Sequence, residues 1–340
     1  MRNLLRVGVG LVTILMAGLA LGAGTITVTS PARGTLAAPT PIKGNAPINF
    51  NITGGQTEVT VTVRLFRLDL NQQYGQPLTV KVTPNTDGKV SGSVSFQFSQ
   101  GIDPEVAYRA EVRATETGGN LYNTDQDLFV KPDLTKPKIL SFNPLGGSFV
   151  KGNVLISVQV LEANLKDWRV QVDGNTLPNG EGTTVNSQGY FTVTWATNGI
   201  QFDGSKTISI RIRDLAENET TQDIPVTIDR VAPRLTIQSP LNNSSFAAGT
   251  TLTVIADVTD ASTASVPVTG LDVVVRKMDG TFITRVARQS FTSLNGTTSR
   301  WTGRIRWRAG LLPPQFKIIV TATDKAGNVA TPQTVTVNIG

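Results

Sequence analysis

The sequence predicts an all-β protein made of tandem β-sandwiches. Three observations predict it. Apolar residues recur at every second position in short runs: in TLTVIADV, Leu252, Val254, Ala256 and Val258 fall on one face, with Thr and Asp opposite. That period marks a strand buried on one side. No segment sustains a 3.6-residue period. One figure, a strand, a tight polar turn and a second strand, ends the chain at Phe316–Gly340 and also stands at Lys206–Asp229, with a looser copy at Ala107–Asp133. Internal similarity at such a period indicates an array of one module.

Each repeat opens alike, with TITVTSPARGTL (Thr25–Leu36), PKILSFNPLGGSFVKG (Pro137–Gly152) and PRLTIQSPLNNSSFAAG (Pro233–Gly249). A short alternating strand leads to Pro31, Pro144 or Pro240, then to a Gly/Asn turn. Proline suits a strand end, where no ladder N–H is lost. A second strand follows as PINFNI, VLISVQV and TLTVIADV, and a third at Val59–Leu68, Trp168–Gly174 and Leu271–Gly280. Asp-Gly in VDG and MDG tolerates the positive φ of a hairpin turn. The next strands are KVSGSVSFQF, QGYFTVTWATNG and SRWTGRIRWRAG, and the closing pair completes about seven strands per repeat, the pattern of a sandwich. The expected divisions are residues 1–23, 24–133, 134–229 and 230–340. The short linkers KPDLTKP and VTIDRVAP carry proline and predict semi-rigid connections.

Residues 1–23 read as a secretory signal. Arg2 and Arg6 precede an apolar run from Val7 to Leu21 and then small residues, with cleavage expected after Gly22 or Ala23. The run is short for a membrane span, and no second apolar segment of spanning length follows. The expected destination is outside the cytoplasm: periplasm, cell surface or medium.

Composition excludes several chemistries. The chain has no Cys and no His. Disulfides, thiol catalysis and zinc–thiolate sites are ruled out, and the usual general base near neutral pH is missing. Carboxylate pairs such as Glu217 with Glu219 or Asp103 with Glu105 sit in turn-like contexts, and no nucleophile-elbow motif is present. The expectation is a protein that is not an enzyme. The net charge of +6 divides as +2 over residues 1–23, −1 over 24–133, −2 over 134–229 and +7 over 230–340. The basicity belongs to the last repeat, so the high isoelectric point is no argument for nucleic acid.

These repeats resemble the bacterial immunoglobulin-like domains of secreted and cell-surface proteins. IDRVAPRLTIQSPLNNSSF and ATDKAGNVA carry the resemblance in the third repeat, LTKPKILSFNPLGGSF and IRDLAENET in the second. The first lacks the Pro-led opening and has ATETGGN where the others have an Asp–Asn turn. The resemblance implies three tandem immunoglobulin-like β-sandwich domains after an N-terminal signal peptide. It implies no single function, because such domains serve as spacers, adhesive modules and enzyme appendages.

Four groups of residues are candidates for chemistry. The turns Asp214–Asn218 and Asp324–Asn328 suit Asp and Asn structurally, since both accept backbone N–H groups. In an immunoglobulin-like sandwich the same turns face the preceding domain, which would gather Asp229, Asp257, Asp260 and Asp324 at one junction and Asp133, Glu162 and Asp214 at the other. Oxygen ligands from several loops are what Ca²⁺ takes; no other cofactor is expected. Arg300, Arg304, Arg306 and Arg308 share one strand face, with Arg276, Lys277, Arg285 and Arg288 nearby in sequence. That face is either a solvated exterior or a contact for an anionic partner, an acidic envelope polymer or an acidic protein face. Trp168, Trp195, Trp301 and Trp307 read as core, and Tyr74 and Tyr122, in loop-like stretches, are the better candidates for stacking on sugar. The edge strands offer a further contact by strand addition. The function expected is a non-catalytic structural or adhesive protein of the bacterial envelope that spaces or links surface components. The alternative is an accessory polysaccharide-binding protein.

Overall fold

A computed structural model describes residues 21–44, 46–95, 106–119, 121–123, 127–260, 268–287, 289–306 and 312–340. Among them there is no α-helix; a 3₁₀ turn spans Thr197–Gly199 and the ordered elements are otherwise strands. Residues 1–20 of the expected signal, Asp103, Glu105, Arg288, Trp307 and Arg308 lie outside the described residues.

The first repeat forms β1 (Leu21–Ser30), β2 (Thr40–Ile42), β3 (Pro47–Thr53), β4 (Val59–Arg67), β5 (Gln72–Val82), β6 (Lys89–Ser95), β7 (Tyr108–Glu116), β8 (Leu121–Asn123) and β9 (Asp127–Pro132). Strands β1, β3 and β6 pair on one side and β2, β9, β7, β4 and β5 on the other; short β8 touches both β1 and β7 and joins them into one continuous sheet.

The second repeat forms β10 (Lys138–Asn143), β11 (Ser148–Val150), β12 (Asn153–Leu161), β13 (Leu165–Val172), β14 (Asn175–Gly182), β15 (Tyr190–Ala196), β16 (Gly204–Asp214) and β17 (Glu219–Ile228). Its sheets are β10-β12-β15 and β11-β17-β16-β13-β14. The third forms β18 (Arg234–Ser239), β19 (Ser244–Phe246), β20 (Thr251–Thr259), β21 (Val268–Lys277), β22 (Phe282–Arg285), β23 (Gln289–Ser293), β24 (Thr298–Arg306), β25 (Gln315–Asp324) and β26 (Gln333–Ile339), in the sheets β18-β20-β24-β23 and β19-β26-β25-β21-β22.

This is the strand order of the immunoglobulin-like sandwich. The chain leaves the first strand, crosses to the opposite sheet, and pairs there in parallel with the last strand, as Ser148–Val150 does with Val226–Ile228. Pro31, Pro144 and Pro240 stand at that crossing, each after a cis peptide bond. Inward residues alternate along every central strand: Val59, Val61, Val63 and Leu65 are buried on β4, and Ile208, Ile210 and Ile212 on β16. They gather into three separate hydrophobic clusters, one per repeat. In the first, Phe50 lies across the ladder from Gly92, where a Cβ would stand 2.6 Å from its ring. In the second, Trp168 covers Gly182 in the same way.

By backbone contacts the chain divides into two compact units. One holds residues up to Lys136 together with the turn Asp214–Asn218; the other holds Pro137–Arg213 and Glu219–Gly340. The second unit therefore contains both the second and the third hydrophobic clusters.

Candidate functional site

The Asp–Asn turns are built identically. Asp324 N–H donates to the Asn328 carbonyl, Gly327 N–H to the Asp324 carbonyl, and Asn328 N–H to Asp324 Oδ1 at 2.7 Å. The Asn328 amide then donates to Asp324 Oδ2 at 2.8 Å. Asp214 and Asn218 repeat each bond, at 2.8 Å for both side-chain contacts. The fourth turn position has positive φ in both, Gly327 at 81° and Glu217 at 64°. Each Asn amide also reaches the segment before its own repeat. Asn218 donates to the carbonyls of Asp133 and Thr135 at 2.9 and 3.2 Å, within the first unit. Asn328 donates to the Asp229 carbonyl at 3.0 Å, within the second. The turns are thus latches as well as turns, which the residue pair alone did not predict.

Around Asp229 the latch becomes a polar cluster. Asp229, Asp260 and Asp324 are buried, and one carboxylate oxygen of each lies within 4.8 Å of the other two. Asp229 ends β17's exit, Asp260 follows β20 and Asp324 closes β25, so three loops converge. The donor set, three hard carboxylates in a buried junction, suits Ca²⁺. The linker beyond it is clamped: Asp203 accepts from the Arg230 backbone N–H at 2.8 Å and from its guanidinium at 2.5 Å, and Asp229 N–H donates to the Val150 carbonyl. Lys151 Nζ donates to Asn328 Oδ1 at 3.0 Å, and Lys325 stands over the Phe149 ring at 5.5 Å. Burial pushes the Asp203 carboxyl up, but the bonds from Arg230 outweigh it and the net shift is downward.

Asp257 does not join this cluster, contrary to expectation. It sits on β20 directly across the ladder from Arg300, and the two form a bidentate pair at 2.7 and 2.8 Å. Period two decides this: Asp257 points to the outer face, whereas the strand has ended at Asp260. The bond from Arg300 holds the Asp257 carboxyl below its ordinary value. Of the remaining acids, Asp214 is fully buried, and burial raises its carboxyl despite the bonds from Asn218. Asp133 accepts from Thr135 N–H at 3.1 Å, and Glu162 from Asn164 N–H at 2.7 Å. Among the described residues, Asp229–Asp260–Asp324 is the one group of three carboxylates at metal-ligand spacing.

The arginine face is real but smaller than the sequence suggests. Trp301 and Ile305 are buried on β24 while Arg300, Arg304 and Arg306 are exposed on the other face. Arg300 is neutralised by Asp257. Arg304 and Arg306 face Thr253 and Thr251 across the ladder, which cancel nothing.

The aromatic candidates for sugar stacking are not available as platforms. Tyr122 is buried at 5% exposure, and Tyr74 packs edge-on against Tyr108 with ring centroids 5.4 Å apart. Tyr122 belongs to the first hydrophobic cluster and Tyr74, partly buried, packs against it, because the stretches that read as loops are strands β5 and β8. Trp168, Trp195 and Trp301 are core residues, as expected.

No protein-family model matches the chain, and no curated protein matches it. Among solved structures it is similar to the fibronectin(III)-like modules of Clostridium thermocellum CbhA, at 16% identity over 60% of this chain and 93% of that one, with a TM-score of 0.39. It is similar also to a tetra-tandem repeat in the extending region of a large adhesion protein, at 16% identity over 94% of this chain and 74% of that one, with a TM-score of 0.29. A structure of a 1.5-MDa bacterial ice-binding adhesin is 18% identical over 94% of this chain and all of that one, with a TM-score of 0.32.

Sequence reasoning missed Lys151, Asp203 and Arg230 as junction residues. Asp203 and Arg230 are separated by 27 positions and meet only through the fold. A signal did exist for the arginine face. Once β20 and β24 are paired, the acid at Asp257 and the threonines at 251 and 253 show which arginines keep their charge.

Proposed function

We propose that this chain is a non-catalytic exported protein of the cell envelope, structural or adhesive, whose immunoglobulin-like modules space or link surface components. We propose further that Asp229, Asp260 and Asp324 hold Ca²⁺ and stiffen the junction between the second and third repeats. The observation that carries the second proposal is the junction at Asp229–Arg230, where Asp229 is fully buried and Arg230 is held by Asp203; the first rests on the tandem sandwiches and the secretory pattern of residues 1–23. Linkers between independent modules are ordinarily solvated; Val231 and Ala232 are exposed here, but Asp229 is fully buried. Val150, Asp203 and Asn328 hold the junction from both sides.

The cation is tested by calorimetry on EDTA-stripped protein. Adding millimolar CaCl₂ raises the melting temperature, since a ligand bound by the native state alone stabilises by about 3–4 kcal/mol at 100 to 1,000 times its Kd. Asp260→Asn reduces that rise. An unchanged melting curve removes the cation. The envelope role is tested separately, by fractionating the native cell and cross-linking. Recovery of the chain in the cytosol, with no envelope component attached, removes that role.

A further inference from the structure

Beside Arg304 and Arg306 the third repeat carries a groove of about 650 Å³, lined by Thr284, Arg285, Ser290, Thr302, Arg304 and Arg306, with Val286 and Ile305 at its floor. Strand β23 pairs with β24 from Ser293↔Ser299 to Gln289↔Gly303, and β24 runs on beside β20 to Arg306. The chain from β22 passes through Val286, which is buried and donates its N–H to the Val273 carbonyl. A Cβ at Gly303 would stand 2.8 Å from Val286, so the floor is closed. Gln289 fixes the wall: its amide donates to the Leu271 carbonyl at 2.6 Å and its oxygen accepts from Leu271 N–H at 3.0 Å.

The charge of the groove is positive. Arg285 is paired with Asp272 at 2.8 Å, but no ion pair to Arg304 or Arg306 is found among the described residues. Two residues apart on one strand face, their Cα atoms are about 7 Å from each other, and their forks match carboxylate and sulfate oxygens. Hydroxyls at Thr284, Ser290 and Thr302 supply donors and acceptors between them. The groove is open to solvent along one side, and its volume of about 650 Å³ lies in the range of clefts that hold small ligands.

We propose that this groove binds an acidic polysaccharide, with Arg304 and Arg306 on its carboxylates or sulfates. The assignment deepens the adhesive role proposed above and rests on it for its biological meaning. Its test uses purified chain and is independent of where the protein resides in the cell. Binding is measured to immobilised polygalacturonate and dextran sulfate, with neutral dextran and polyglutamate as comparisons. The wild type binds at least one acidic glycan, ignores neutral dextran, and binds more weakly as NaCl rises. Arg304→Glu with Arg306→Glu lowers affinity tenfold or more, and the milder Arg304→Gln with Arg306→Gln lowers it less. Lys89→Glu with Lys138→Glu makes the same change in net charge elsewhere and alters affinity less than about twofold, as exposed charges distant from a site are screened. All variants keep the wild-type melting temperature. Failure of the wild type to bind either acidic glycan, equal loss in both charge-reversal pairs, or tighter binding to polyglutamate than to the glycans would each overturn the assignment.

Discussion

Asn218 and Asn328 each do what no other residue type does as well. A single amide donates to the turn carboxylate and to a linker carbonyl. Asp in the same place offers only oxygens, and Ala offers nothing. Asn218→Ala leaves Asp214, at 0% exposure, with fewer donors, and is expected to destabilise by about 1–3 kcal/mol. Asn218→Asp is expected to cost more near neutral pH, because it sets a second carboxyl against one that burial already holds above its ordinary value. Urea unfolding of the two variants measures the difference. If Asn218→Asp proves as stable as Asn218→Ala, the amide is not acting as a directed donor.

Between elements, the informative link is Asp167 on β13, which receives Arg211 at 3.0 Å and Arg213 at 2.5 Å from β16. Burial pushes the Asp167 carboxyl up, but the hydrogen bond from Arg213 and the charges of Arg213, Arg211 and Lys166 outweigh it, so its folded value lies below the ordinary 3.8. A lowered carboxyl value means stability that is present above pH 3.8 and lost as pH falls through the folded value. Asp167→Asn is therefore expected to cost about 1–2 kcal/mol at neutral pH, with the gap from wild type closing on acidification. A gap constant down to pH 2 would remove the ion pair as its cause. The same scale shows what the sequence could and could not reveal. The alternating runs that became β3, β4, β12 and β20 were legible because one buried face imposes period two. The three-residue strands β2, β11 and β19 were not, because three residues carry no period. Strand β5 was missed for another reason: as an edge strand it buries little, so the stretch around Tyr74 read as loop. The junction acids were legible in part, through the implied pole; Asp257 failed because its strand parity was not carried to the end of β20.

At the scale of the whole molecule, the repeats bring three hydrophobic clusters that share no residues. Stability in such a chain is a set of local terms rather than one global quantity, and two-state behaviour is not expected. Phe50 tests this cleanly. It is fully buried in the first cluster, over Gly92, and removal of such a ring costs about 3–5 kcal/mol. In a calorimetric scan, Phe50→Ala is expected to lower one transition and leave the heat absorbed by the second and third clusters where it was. Adding CaCl₂ provides the complementary perturbation, since its proposed ligands all lie in the second unit. The two perturbations should then move different parts of the trace. A single peak that shifts as a whole with either one would mean that the clusters unfold together.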